Sequence, residues 1–238
     1  VSTPPPPQPY PTSQPYLAPP PPPQRSRVRA GVVLGVVGGV MALLVIAWAA
    51  VAVVVGNGGT DGDLPEARYR LTLPKTLLDG EYKMERDFSD SPQDSFEQHA
   101  ESALGGVDVR AAVAIYTPTN RGGQLNVTGM YGRFKDADDA RDTMLKDAAG
   151  PDGVSVARAP EDIRPSGSDV TVACQLIAHE DLNMRTIMPM CAWNDGNTDA
   201  LIGEVDPAIS SKDPKDVDLA SLAERTLRIR AELRQPIN

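Results

Sequence analysis

The chain is short of the side chains that do most protein chemistry. Its 238 residues include only two histidines and two cysteines, and aromatics make up 5%. His99 and His179 are not at zinc-ligand spacing, and the cysteines are not a Cys-x-x-Cys redox pair. No Gly-x-Ser-x-Gly, phosphate loop, His-Glu-x-x-His or dinucleotide fingerprint occurs. The sequence therefore reads as non-enzymatic, with no catalytic residues, cofactor or metal expected. The alternative is a hydrolase of envelope polymers working through acidic residues. That chemistry needs two facing carboxylates about 5–10 Å apart.

Positive charge is also scarce. Setting aside Arg25, Arg27, Arg29, Asp61 and Asp63, residues 64–238 keep 20 Lys+Arg against 30 Asp+Glu. A domain of that balance repels phosphate backbones, so nucleic acid is excluded as a partner. The acidity reads as a solubility device.

Charge is missing altogether from residues 30–55. A helix rises about 1.5 Å per residue, so about 20 apolar residues cross a bilayer core. The run is long enough, and in lipid a helix is the only single-segment structure that satisfies its own backbone. Arg25, Arg27 and Arg29 precede it, and Asp61 and Asp63 follow. The positive-inside rule then puts the N-terminus in the cytoplasm and residues 64–238 outside. A cleaved signal peptide, which would release a secreted protein, is the competing reading. Signal cores run about 7–15 residues, shorter than this one. Gly31, Gly35 and Gly39 repeat a Gly-x-x-x-Gly spacing on one helix face, a pattern that suits a homodimer contact. The first residue is Val1, which leaves open a stretch upstream.

Aliphatic residues are nearly absent from residues 1–24, which hold 12 of the 23 prolines. Such a tail cannot bury a core and reads as a disordered, polyproline II-type spacer. The expected organisation is a cytoplasmic tail over 1–29, a transmembrane helix over 30–55, a flexible linker over 56–63 and a folded domain over 64–238.

Within the domain, the alternation of Tyr69, Leu71 and Leu73 predicts a strand. Residues 91–105 read as a helix with Ser91 as N-cap, Pro92 at its first position and Gly105 past its end. Its stripe is Phe96, Ala100, Ala103 and Leu104, with His99 nearby as a packing residue. Residues 107–117 and 123–134 read as a hairpin. The "DADDARD" stretch opens a helix over 136–150, its aspartates favoured by the helix dipole. It lacks the glycine and later glutamate of a calcium loop. Residues 153–160, 168–179, 184–195 and 198–206 read as strands. Residues 213–234 read as a helix opened by Asp213 and Pro214, with Leu219, Leu222, Thr226, Ile229 and Leu233 on one face. Roughly seven strands and three helices, with hairpins dominant, predict an α+β fold: a mostly antiparallel sheet with the helices on one face.

The cysteines fit a hairpin. If Cys174 opposes Cys191, all opposed pairs sum to 365 and the turn falls between Leu182 and Asn183. This register gathers Val170, Val172, Cys174, Leu176, Ala178, Ile187, Pro189, Cys191 and Trp193 on one face. The other carries Thr171, Gln175, His179 and Asn194, with Ile177, Met188 and Met190 out of pattern. Pro189 cannot donate to a ladder, so the strand is an edge there or bulged. Outside the membrane paired thiols oxidise, and a Cys174–Cys191 disulfide is expected. His179 would sit exposed by the turn. Asn126-Val127-Thr128 matches a glycosylation acceptor but falls inside a strand, so it is read as chance.

In layout the chain resembles actinobacterial single-pass envelope proteins of uncharacterised function. The resembling residues are the "PPPPQPY…PPPPP" head, "RSRVRAGVVLGVVGGVMALLV", "LPKTLLDGEY" and "MCAWNDGNT". The resemblance implies a location and carries no functional residues. Together these readings predict a membrane-anchored extracytoplasmic binding, sensing or accessory module. Its partners would be the bilayer, through residues 30–55, and an unidentified envelope protein or ligand.

Overall fold

The computed structural model describes residues 64–90, 94–181 and 184–237. The proline-rich tail, residues 30–55, Arg25, Arg27, Arg29, Gly31, Gly35 and Gly39 lie outside them. So do Ser91, Pro92 and the predicted turn at Leu182 and Asn183, together with the side chains of Phe96 and His99. Among the described residues, no helix is long and apolar enough to cross a membrane.

Among the described residues, ten strands and four helices follow in chain order. They are β1 (Tyr69–Leu71), β2 (Thr76–Leu77), β3 (Tyr82–Asp87), α1 (Asp94–Ala103), β4 (Gly106–Pro118), β5 (Gln124–Phe134), α2 (Ala137–Ala148), β6 (Val154–Ile163), β7 (Val172–Asp181), β8 (Met184–Asn194), β9 (Thr198–Val205), α3 (Pro207–Ser210), α4 (Leu219–Leu233) and β10 (Arg234–Pro236). Eight strands form one sheet in the order β2-β3-β4-β5-β9-β8-β7-β6, and β1 pairs with β10 apart from it. Every pairing is antiparallel. The fold is therefore α+β with a mostly antiparallel sheet, as the hairpin-rich sequence predicts.

The helices cover both faces, not one. Ala140, Met144, Leu145 and Ala148 of α2 pack with Ala173, Ile177, Met188, Met190 and Ala192, and Ala100 and Leu104 of the α1 region join them. On the opposite face Leu219, Leu222 and Ala223 of α4 pack with Val172, Cys174, Leu176, Ala178, Ile187 and Cys191. Ile177, Met188 and Met190, which break the expected alternation, are thus the floor under α2. A sheet buried on both sides needs apolar residues at successive positions. β9 shows the same signature, with all eight residues buried.

The β7–β8 register is the predicted one, from Val172↔Trp193 through Cys174↔Cys191 to Asp181↔Met184. Pro189 lies just beyond the last β8–β9 pair, Met190↔Gly203. There β8 has β7 alone beside it, so the missing donor is tolerated. β6 forms one outer edge. Pro160 and two register shifts break up its ladder, which blunts it against pairing with other chains.

The last helix starts later than its sequence signals suggest. Asp213 caps only a one-turn 3-10 segment, Pro214–Asp216, and Asp218 accepts from the Ser221 amide to cap α4. Strands β2, β3 and β10 and the short α3 are further elements that hydrophobic periodicity does not reveal. β3 has one residue of six buried, so it has no clear alternation to read.

The chain enters the domain beside the β8–β9 turn. Gly196, at φ +84, lets that turn form, and a Cβ there would lie 3.4 Å from Pro65. Leu71 then packs on β5 at Gly129, where a Cβ would come within 2.7 Å of its side chain. β9 runs from this turn to Val205, which pairs with Gln124 at the other end of the sheet. Eight residues at about 3.3 Å each separate the two ends by roughly 25 Å.

Candidate functional site

The end of the sheet away from chain entry is built around Glu204. β9 turns this side chain toward α4, where 5% of it remains exposed. Arg225 of α4 donates to both carboxylate oxygens, at 2.9 and 2.8 Å. Arg121, from the β4–β5 loop, donates at 2.9 Å, and the Tyr82 hydroxyl donates at 2.6 Å. Arg121 also pairs with Asp206 and donates to the Tyr82 oxygen, with its guanidinium 5.5 Å from the ring centroid. Glu81 reaches the same guanidinium at 3.5 Å. Asp206 in turn caps α3 by accepting from the Ala208 amide.

Burial raises the Tyr82 phenol well above its ordinary value, and the hydrogen bond to the Glu204 carboxylate adds to that. For Arg121 burial works against the charged form, but the bond to Glu204 and the charges of Tyr82, Glu204 and Asp206 together outweigh it, and its pKa is raised. Tyr82 therefore stays protonated and Arg121 stays charged. Glu204, Asp206 and Glu81 each face a guanidinium. This cluster joins two strands, two helices and a loop, and none of its three carboxylates stands clear as a general base. Beside it a crevice of about 10 Å³ runs along α4, lined among others by Cys191, Leu222, Thr226 and Ile229. That is room for one water, against the hundreds of cubic ångströms of a ligand pocket.

The end where the chain enters has a second polar centre in the β8–β9 turn. The Asp195 side chain is 5% exposed and pairs with Arg230 and Arg234, each at 2.7 Å. Its other oxygen accepts from the amides of Asn197 and Thr198. Arg230 also makes two bonds to Asp169, which hold that carboxyl below its ordinary range. Asn197 fastens the incoming chain, accepting from the Arg68 amide at 2.8 Å and donating to the Glu66 carbonyl at 3.0 Å. The Arg234 guanidinium lies over the Tyr69 ring, 3.1 Å from its centroid. Ile237 donates to the Arg68 carbonyl, so both ends of the domain are tied at this turn.

Asp199 follows four residues later and has no such company. It is fully buried, and neither of its carboxyl oxygens has a hydrogen-bond partner. Asn194 lies opposite it across the β8–β9 pair, and its amide nitrogen is buried and unpartnered too. Burial pushes the Asp199 carboxyl up to about 8, and the Asp195 charge adds to this, while the Asn194 side chain and Arg141 oppose it. Asp199 is therefore a neutral acid through the mildly acidic range.

Of the residues marked in the sequence, Cys174 and Cys191 are bonded to each other and buried at 0% and 3% exposure. His179 is half-buried rather than exposed, and its Nδ1 is enclosed without a partner. Asn126 is 4% exposed and accepts from Gln124, so it is no acceptor for a glycan in the folded chain. The aspartates around α2 serve locally: Asp136 caps the helix, and Asp138, Asp142 and Asp162 surround the buried Arg141. Among the described residues, no group of three or more His, Cys, Asp or Glu could hold a metal ion. Sequence reading missed Arg121, Glu204 and Asp195. The one available signal was the presence of acids inside the apolar run "TDALIGEVD". No family model, curated protein or solved structure matches this chain.

Proposed function

We propose that residues 64–238 form an extracytoplasmic binding or accessory module without catalytic activity, held at the membrane by residues 30–55. The observation that carries this reading is the buried disulfide between β7 and β8, since such bonds persist in oxidising compartments. The uncharged run and the arginines before it supply the anchor and its direction. Eight residues, 56–63, reach under about 30 Å even at full extension. They would hold the chain-entry end close to the bilayer. The Glu204 end, with Asp79 almost wholly exposed at 96%, would then face outward and meet the partner. An envelope protein is the partner class this placement favours.

The test is photo-crosslinking in intact cells, from probes at Asp79 and Lys212 on the outward end and at Arg68 beside chain entry. Envelope proteins captured at the first two positions and not at the third are the expected result. Cytosolic proteins at all three would overturn both the function and the orientation.

A further inference from the structure

We propose that the β8–β9 hairpin is a pH-gated latch on the incoming chain: ionisation of Asp199 loosens the 194–198 turn and frees Glu66 and Arg68 from it. The geometry that carries this is the position of one unpartnered acid inside the clamp. Asp199 is fully buried with both oxygens unpaired, opposite Asn194, whose amide nitrogen is likewise unpaired. Asn194 and the turn are one unit, because its side-chain oxygen accepts from the Gly196 amide at 2.7 Å. Asp195 and Asn197 of the same turn hold Arg230, Arg234, Arg68 and Glu66. Trp193, just before, donates from its indole to Thr198, beside Asp199.

A buried carboxylate whose one neighbouring side-chain donor is the Asn194 amide, out of good hydrogen-bond geometry, is costly, so the protonated form keeps the hairpin closed. The charges that act on Asp199 are Asp195 from the turn, which resists ionisation, and Arg141 from α2, which favours it. Arg141 is already shared among Asp138, Asp142 and Asp162. Met130 is the residue opposite on β5 and offers no donor side chain. Once the proton leaves, Asp199 gains most by reaching water, and the way out is to open the hairpin. The carboxyl ionises near pH 4 when exposed and near 8 in place. Over that range the closed form loses ground as pH rises, by up to about tenfold per pH unit. The latch does not depend on membrane anchoring. Only its output, a change in how the tether is held, rests on the proposed function.

The experiment is hydrogen exchange read by mass spectrometry on the full chain, wild type against Asp199→Asn, from pH 5 to 9. The chain is placed in lipid nanodiscs or, should it not insert, in buffer. Insertion tests the anchoring, and the exchange ratio tests the latch. Dividing wild-type by variant rates cancels the intrinsic pH dependence of exchange. The expected ratio, over peptides covering Arg68 and Gly196–Thr198, climbs with pH and levels off above about 8. A flat ratio overturns the latch. So does exchange at those amides no faster than in peptides covering Leu125 and Glu204, since the whole domain would then be opening. Should Asp199→Asn fail to fold, Asp199→Thr removes the same proton in a residue suited to a strand.

Discussion

Glu204 and Asp199 lie on one strand, both buried, and point to opposite faces of the sheet. Glu204 meets Arg225, Arg121 and Tyr82 and sits in a complete set of charge-assisted hydrogen bonds. Asp199 meets the apolar floor under α2 and has no hydrogen-bond partner for either oxygen. The difference shows two ways to bury an acid: surround it with cations, or keep its proton. The first makes a joint in which Arg121 is held charged. The second makes stability depend on pH. Glu204 braces the end away from chain entry and Asp199 underlies the end beside it, so the two ends should respond differently to the same disturbance.

The largest expected effect concerns Asp199. Its carboxyl titrates near 8 when folded against about 3.8 when exposed. The unfolded chain releases this proton first, so stability falls as pH rises between those values, by about 1.4 kcal/mol per pH unit. Urea midpoints of wild type and Asp199→Asn should converge near pH 4 and separate by several kcal/mol by pH 8. Parallel curves would mean that Asp199 is solvated or paired. Next is Glu204→Ala, which leaves two guanidinium groups facing each other. Removing one partner of a buried pair costs about 3–5 kcal/mol. Arg121 and Arg225 keep 29% and 30% of their side chains in water, so the lower half of that range is expected. A loss under about 1 kcal/mol would show that the cations do not hold this acid and would undo the contrast with Asp199.

The disulfide lies on the Glu204 side of the sheet, where Cys191 lines the crevice beside α4. Replacing both cysteines with alanine removes a crosslink across 17 residues, worth about 3 kcal/mol by the chain-entropy argument. Urea midpoints of the double variant should drop at every pH without altering the slope that Asp199 sets. The smallest effect is expected at Asp79 and Arg228, paired at 3.5 Å with 96% and 59% of their side chains exposed. Asp79→Ala should change the midpoint by less than about 0.5 kcal/mol. A larger loss would show that the surrounding turn depends on it. That turn has positive φ at Leu78, Asp79 and Gly80, and Glu232 accepts from the Leu78 amide.

The β7–β8 hairpin was legible because its information is local: alternation, a polar turn and a cysteine pair agree on one register. The α2 helix was legible through its acidic first turn. The Glu204 cluster was not, because its members lie far apart, with Tyr82 122 residues and Arg121 83 residues from Glu204. No periodicity joins such positions. The start of α4 was misjudged because Asp213-Pro214 and Asp218 both look like caps, and only packing of Val217 and Leu219 beneath the helix selects the second.

By itself the sequence determined the antiparallel hairpins, the cysteine pairing and the uncharged run before the domain, since each follows from neighbours along the chain. The tertiary structure decided that both faces of the sheet are covered and which buried acids have partners. A strand's alternation says that a side chain points to one side, but what waits there is supplied by helices that arrive from elsewhere in the chain.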